Sequence, residues 1–342
     1  MKRLTALALV LGLTLTGCAA MLERDYLVSE PHAENPPGQS ESFYRVETYS
    51  GLFASLCSYV EEGMESGALR FPTTYAGNLT VDLEKAKRQL MEETPLGCYA
   101  LSDVTFHVSR IIAYYEVTAA FDYRIPPAEY TGIPHLSDAD ALDKQMEEAL
   151  TGFENGFTCL LEFSTAPEQA LADSLLKVYD RCPQAALGRP ELEVTCYPED
   201  GTQAVAEVHL TYPESPYLLR ARQRELLRIA QLFAEEHLAE ADGSDCAAVY
   251  RTVMAQFQYD PEGGSTTDAA FFSGSANDEG LARAYLLLCR LKDNKDAGIW
   301  EGPDGWQSAD GLPEDGAAPL IFRPDGAPSQ AQTHVPEGGE TP

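Results

Sequence analysis

The sequence predicts an α+β fold, with two β-sheet/helix repeats followed by a mostly helical region. Three observations carry this expectation. The same order of helical and strand patterns occurs twice at an offset of roughly 90 residues, a period that means two small modules rather than a solenoid. The closing strands of both copies alternate between apolar and polar residues. Beyond Leu218 the apolar spacing changes from the period of a strand to that of a helix. The expected organisation is 1–17, 18–42, a first repeat over 43–125, a second over 136–215, a third region over 216–323 and a tail over 324–342.

In the first repeat a helical pattern over 52–65 leads to a short strand over 68–71. A second helix over 83–92 follows, then strands over 104–108 and 114–124. The last strand places Tyr115, Val117, Ala119, Phe121 and Tyr123 on one face, with Glu116, Thr118, Asp122 and Arg124 on the other. The second repeat gives a helix over 141–153, a strand over 159–163, a helix over 171–179 and strands over 192–196 and 204–212. Ala204, Ala206, Val208, Leu210 and Tyr212 oppose Glu207, His209 and Thr211. Each copy can thus cover one face of a three-stranded sheet with two helices and leave the other face in water. His107 and His209 fall in these strands with no second ligand at a usable spacing, so they read as surface or hydrogen-bonded residues.

The amino terminus begins Met1-Lys2-Arg3, continues with an apolar run over 4–15 and reaches Leu15-Thr16-Gly17-Cys18. A positive start, a short apolar stretch and small residues before a cysteine are the parts of a signal peptide. The junction resembles the lipobox of bacterial lipoproteins. That resemblance implies a mature chain beginning at a lipidated Cys18, held at the extracytoplasmic face of the cell membrane by two or three acyl chains, enough for stable anchoring. Residues 18–42, with Pro31, Pro36, Pro37 and Gly38, read as a flexible spacer, and 324–342 as an unpacked, disordered tail.

Lys and Arg number 24 against 54 Asp and Glu, a formal net charge of −30. Such a field excludes nucleic acid as a partner and keeps the chain off an anionic surface except through its lipid. Beyond Cys18 come Cys57, Cys98, Cys159, Cys182, Cys196, Cys246 and Cys289, an odd set without a C-x-x-C pair. A disulfide framework or a zinc site is not indicated, and most of these thiols sit in apolar stretches as small hydrophobes.

The third region opens with an amphipathic helix over 218–238, with Leu226, Ile229, Ala230 and Phe233 on one face. Arg220, Arg222, Arg224 and Arg228 crowd its start while Glu235, Glu236 and Glu240 crowd its end, against the macrodipole. Acidic neighbours elsewhere in the chain are expected to offset those arginines.

Three stretches follow: Tyr250-Arg251 through Phe257-Gln258-Tyr259-Asp260, a Ser/Gly turn, and Gly274-Ser275-Ala276-Asn277-Asp278-Glu279-Gly280-Leu281-Ala282. With these the region resembles the bacterial transglutaminase-like superfamily, whose papain-type members often carry paired small α/β repeats ahead of the core. In the family a cysteine nucleophile stands at the start of the last helix, where peptide dipoles and free N–H groups lower its pKa. Asp278 occupies that position here. It is expected at the first turn as the N-cap, and a carboxylate does not do thioester chemistry. Cys289 lies about three turns on, roughly 16 Å away at 1.5 Å per residue.

By the same resemblance Asp296, in Asp296-Ala297-Gly298, stands nearest the family's histidine segment. Asp310, in Gly305-Trp306-Gln307-Ser308-Ala309-Asp310, stands where the orienting acid belongs. The catalytic set is therefore degenerate, at Asp278, Asp296 and Asp310, with neither nucleophile nor base. Asp304, Asp310, Asp315 and Asp325 read as turns, since the calcium-loop spacing is absent. The expectation is a membrane-anchored binding or scaffolding protein that takes an envelope protein or cell-wall ligand, without cofactor or metal. The alternative is an active cysteine hydrolase or transferase using Cys289, Asp310 and a histidine from elsewhere.

Overall fold

The computed structural model describes residues 43–163, 168–199, 202–240, 245–302, 305–308 and 320–323. Cys18, the spacer, Asp304, Asp310, Asp315, Asp325 and the tail lie outside the described residues. The fold is mixed α+β.

The first unit runs β1 (Phe43–Arg45), α1 (Tyr49–Glu61), β2 (Ser66–Pro72), α2 (Leu79–Glu93), α3 (Pro95–Ala100), β3 (Leu101–Arg110) and β4 (Tyr114–Tyr123). Its sheet order is β1-β2-β4-β3, with β1 parallel to β2 and the other pairs antiparallel. Side chains of Thr48 and Asn78 cap α1 and α2, accepting from Gly51 and Val81. The helices bury Leu52, Leu56, Val60, Leu83 and Leu90 against Leu69, Phe71, Val104, Val117 and Phe121.

A connection containing α4 (Pro127–Tyr130) leads to the second unit. This comprises β5 (His135–Leu136), α5 (Ala139–Gly152), β6 (Gly156–Leu161), α6 (Glu168–Arg181), β7 (Glu191–Tyr197) and β8 (Ala204–Thr211). Its order, β5-β6-β8-β7, matches the first sheet strand for strand. The registers run alike as well: Leu69 pairs with Val117 as Cys159 pairs with Ala206.

Two details differ from the sequence expectation. Each sheet has four strands, because a parallel edge strand of three residues in one case and two in the other adds to the expected three. Runs that short carry no readable period. The outer face of the second sheet is also covered in part: Val205 is fully buried beneath α3, in a cluster with Tyr99, Ala100 and Tyr130.

The third region runs α7 (Pro216–His237), α8 (Cys246–Gln256), β9 (Gln258–Tyr259), α9 (Thr267–Ser273), β10 (Ser275–Ala276), α10 (Asp278–Leu291), β11 (Ile299–Gly302) and β12 (Gly305–Ser308). Short parallel strands β9 and β10 pair, as does the antiparallel hairpin β11–β12. Residues Gly280 to Cys289 of α10 are buried on every side, the pattern of a central helix. The region is seated on the second unit: Thr267 donates through its hydroxyl to the Pro183 carbonyl at 2.6 Å and through its N–H to Ala186 at 2.9 Å. No described helix is long and apolar enough to cross a membrane.

Three of the four arginines of α7 find partners in the chain. Arg222 pairs with Asp268 at 2.6 Å and with Glu214, and Arg228 with Glu225 at 2.7 Å. Arg220 donates to the carbonyls of Gly152 and Phe153 at the C-terminus of α5, where a cation suits the dipole.

Candidate functional site

Asp278 is the first residue of α10 but not its cap. Asn277 takes that role, extended at φ −74° and accepting the Gly280 N–H at 2.9 Å. The Asp278 carboxylate instead accepts the backbone N–H of Trp306 at 3.3 Å and so ties the helix start to β12. Gly305 permits this approach. It sits at φ +100°, and a Cβ there would fall 2.6 Å from the carboxylate oxygen. The expected N-cap role therefore moves one residue back, because Asn277 is in the extended backbone a cap requires and Asp278 is already helical.

The other sequence-derived positions do not converge on it. Asp296 is exposed in the loop beyond the far end of α10, its N–H bound to the Asn294 side chain at 3.1 Å. A 14-residue helix separates that end from Asp278, roughly 21 Å at 1.5 Å per residue. Cys289 is fully buried in the core cluster with Val249, Val253 and Leu281. Of the histidines, His107 and His209 are exposed on their sheets, and the His237 ring lies tilted against Phe233 with centroids 4.6 Å apart. Among the described residues no cluster of His, Cys, Asp and Glu is disposed to hold a metal ion.

What the structure does bring together is a cleft of about 560 Å³ between α5 and α6 of the second unit and the β11–β12 hairpin. Both tryptophans of the chain, Trp300 and Trp306, line it. So do Lys177, Arg181 and Arg189, set against the carboxylates of Asp143, Asp180 and Glu301. Arg181 pairs with Asp143 at 2.5 Å. Lys177 and Arg189 are exposed and pair with no carboxylate among the described residues. Trp300 is 38% exposed on the rim, and Trp306 forms the inner wall.

Beneath that wall lies Arg283, 1% exposed in the middle of α10. Its guanidinium donates to Glu279 at 2.7 Å and to Asp180, itself in the cleft lining, at 2.9 Å. It also lies over the rings of Tyr179, at 4.8 Å, and Trp306, at 5.6 Å. Burial works against its charge, but Tyr179, Glu279 and Asp180 outweigh that and hold its pKa above the ordinary arginine value. Nη1 has no hydrogen-bond partner among the described residues. Arg283 thus ties α6, α10 and β12 into one wall of the cleft.

The sequence held a signal for this site: a single arginine inside the otherwise apolar stretch from Leu281 to Leu288, with both tryptophans of the chain following at Trp300 and Trp306. Lys177, Asp180 and Arg189 carried none, because their relevance depends on a module more than a hundred residues away. No family model matches the chain, and no curated protein matches it.

Proposed function

We propose that the chain is a lipid-anchored binding protein of the cell envelope, in which a transglutaminase-like core serves recognition and not turnover. One observation carries the binding half: both tryptophans share one cleft with Lys177 and Arg189, two cations that pair with no carboxylate among the described residues. An exposed indole offers a flat apolar face, and Lys177 and Arg189 offer charge-assisted hydrogen bonds to carboxylate or phosphate. Together these suit an envelope polymer with ring faces and anionic groups, such as an acidic cell-wall glycan. Two features favour recognition over chemistry: the carboxylate of Asp278, at the family's nucleophile position, is engaged with the Trp306 backbone, and the Cys289 thiol that a rearranged site would need lies in the core. The lipid anchor rests on the Leu15-Thr16-Gly17-Cys18 junction.

Because the chain has only these two tryptophans, their fluorescence reads this cleft alone. Titration of the full chain with purified acidic wall polymer should quench or shift the emission, and Trp300→Ala should weaken the binding. No response to acidic or neutral wall polymer would sink the reading. Peptidase or amine-incorporation turnover abolished by Cys289→Ala would replace it with the enzyme alternative. Cys18→Ser should release the protein from carbonate-washed membranes, and its retention in wild-type amounts would remove the anchor.

A further inference from the structure

The β3–β4 hairpin ends in apolar residues that the fold does not require. Ile111 and Tyr114 exchange backbone hydrogen bonds at 2.9 and 3.3 Å, leaving Ile112 and Ala113 as a two-residue loop. Such loops favour Asn-Gly or Asp-Gly. Here Ile112 is 101% exposed, Ile111 39% and Val108, on the adjoining strand, 45%. The second unit supplies an internal comparison, since its β7–β8 connection reads Pro198-Glu199-Asp200-Gly201-Thr202-Gln203, a polar sequence. The corresponding connection is therefore polar in sequence in the second unit and apolar in the first, and a broken local rule of this kind marks function more often than stability.

Behind the tip the side chains change in order. Tyr114 and Tyr115 follow directly, then a groove of about 270 Å³ lined by Arg45, Arg70, Ala113 and Tyr114. Arg45 and Arg110 are exposed. Arg70 stacks on Phe43 at 3.8 Å and on Tyr114 at 5.0 Å, and pairs with Glu116 at 3.0 Å. Glu47 is the other acid lining the groove. The three arginines thus exceed the two acids at this end, in a chain of net charge −30. Apolar tip, aromatic girdle and cationic collar is the order in which side chains meet a bilayer, from acyl chains to headgroup phosphates.

We propose that the β3–β4 hairpin tip inserts Ile111 and Ile112 into a phospholipid bilayer, with Arg45, Arg70 and Arg110 taking headgroup phosphates. A protein partner suits the tip less well, because a standard interface covers about 800 Å² per side and a convex two-residue turn offers a fraction of that. The chain's overall charge opposes approach at long range, but beyond about 8 Å it is screened and the local excess decides. The proposal deepens the lipid-anchor reading and rests on it for proximity. The 24 residues from Ala19 to Ser42 span at most roughly 80 Å at about 3.3–3.6 Å each, enough for the tip to reach the surface that holds Cys18.

The experiment places an environment-sensitive fluorophore on Ile112→Cys in the full chain carrying Cys57→Ser, Cys98→Ser and Cys246→Ser, with Thr118→Cys as the control site on the exposed face of β4. The chain is mixed with phosphatidylcholine vesicles and with phosphatidylcholine–phosphatidylglycerol vesicles. Expected are a blue shift and quenching by lipid-borne spin labels at position 112, stronger with the anionic lipid, and neither at 118. Aqueous emission at 112 while the protein floats with the vesicles overturns the tip and leaves the anchor standing. If Cys18→Ser floats as well as the wild type, and Ile111→Ser/Ile112→Asn in that background abolishes flotation, the anchor fails and the tip stands. That double variant suits a turn and keeps folding separate from binding. Aqueous emission at 112 with no flotation overturns both.

Discussion

The hydroxyl of Tyr99 donates to the carboxylate of Glu207 at 3.0 Å, joining residues 108 positions apart. Tyr99 sits at the end of α3 in the first unit and Glu207 on the outer face of β8 in the second. The bond therefore fastens the first unit onto the sheet of the second. The Tyr99 ring also meets that of Tyr197 with centroids 5.3 Å apart. Burial, helped by the Glu207 carboxylate, pushes the Tyr99 phenol up to about 12.

Tyr99→Phe should destabilise the protein by about 1.5–3 kcal/mol, the range for a hydrogen bond to a charged group. Glu207→Gln should cost less, since the amide oxygen still accepts. Urea unfolding of the two single variants and the double should show a positive coupling energy. Additive losses would mean that the repeats are held by the Val205 cluster alone.

Gly280 is set for close approach. A Cβ there would lie 2.4 Å from the Gly264 carbonyl oxygen and 2.8 Å from the Ala276 Cβ. Gly280→Ala should therefore lose about 1–3 kcal/mol, as overpacking does, although alanine is the better helix former. A midpoint of unfolding unchanged or raised would show that the loop between β9 and α9, which carries Gly264, can give way.

The closing strands were legible because each buries one face: Val117, Ala119 and Phe121, then Val208 and Leu210, keep the period of two that a half-buried strand imposes. The long helices were legible from their period, and α10 from its apolar content. By contrast, α3 is six residues, too short for periodicity, though Thr94-Pro95 is the cap and first-turn pair of a helix start. The cleft escaped for another reason. Trp300 and Lys177 belong to different modules, and packing between modules leaves no local pattern. Asp278 reads from the sequence as the cap of its own helix, whereas the partner of its carboxylate lies in a hairpin 28 residues on, beyond what spacing can show.

Asp138 caps α5, accepting the Ala141 N–H at 2.8 Å. That backbone bond, with a smaller contribution from Ser137, holds its pKa below the ordinary 3.8. Asp103 is lowered likewise, chiefly by Lys87. For a depressed acid the stabilisation is fully present above the unfolded value and disappears as pH falls through the folded one. Stability should thus fall below pH 3.8, and Asp138→Asn, which keeps a capping oxygen without the titration, should flatten part of that slope. Both carboxylates face solvent, so added salt should reduce the Lys87–Asp103 share. An identical acid slope in Asp138→Asn would show that the cap does not titrate with folding.

Arg283 permits a test that separates wall from core. Removing one member of a buried ion cluster strands its partners, so Arg283→Ala should cost about 3–5 kcal/mol, a cavity under Trp306 included. Arg283→Met keeps most of the volume. Because Asp180 and Glu279 are 28% and 26% exposed at their side chains, water can take over their hydrogen bonds and the loss should be smaller. If the arginine chiefly positions the cleft wall, Arg283→Met should shift tryptophan emission and weaken wall-polymer binding while unfolding stays cooperative. Wild-type emission and binding in a stable Arg283→Met variant would assign the guanidinium to packing alone and leave recognition to Trp300, Lys177 and Arg189.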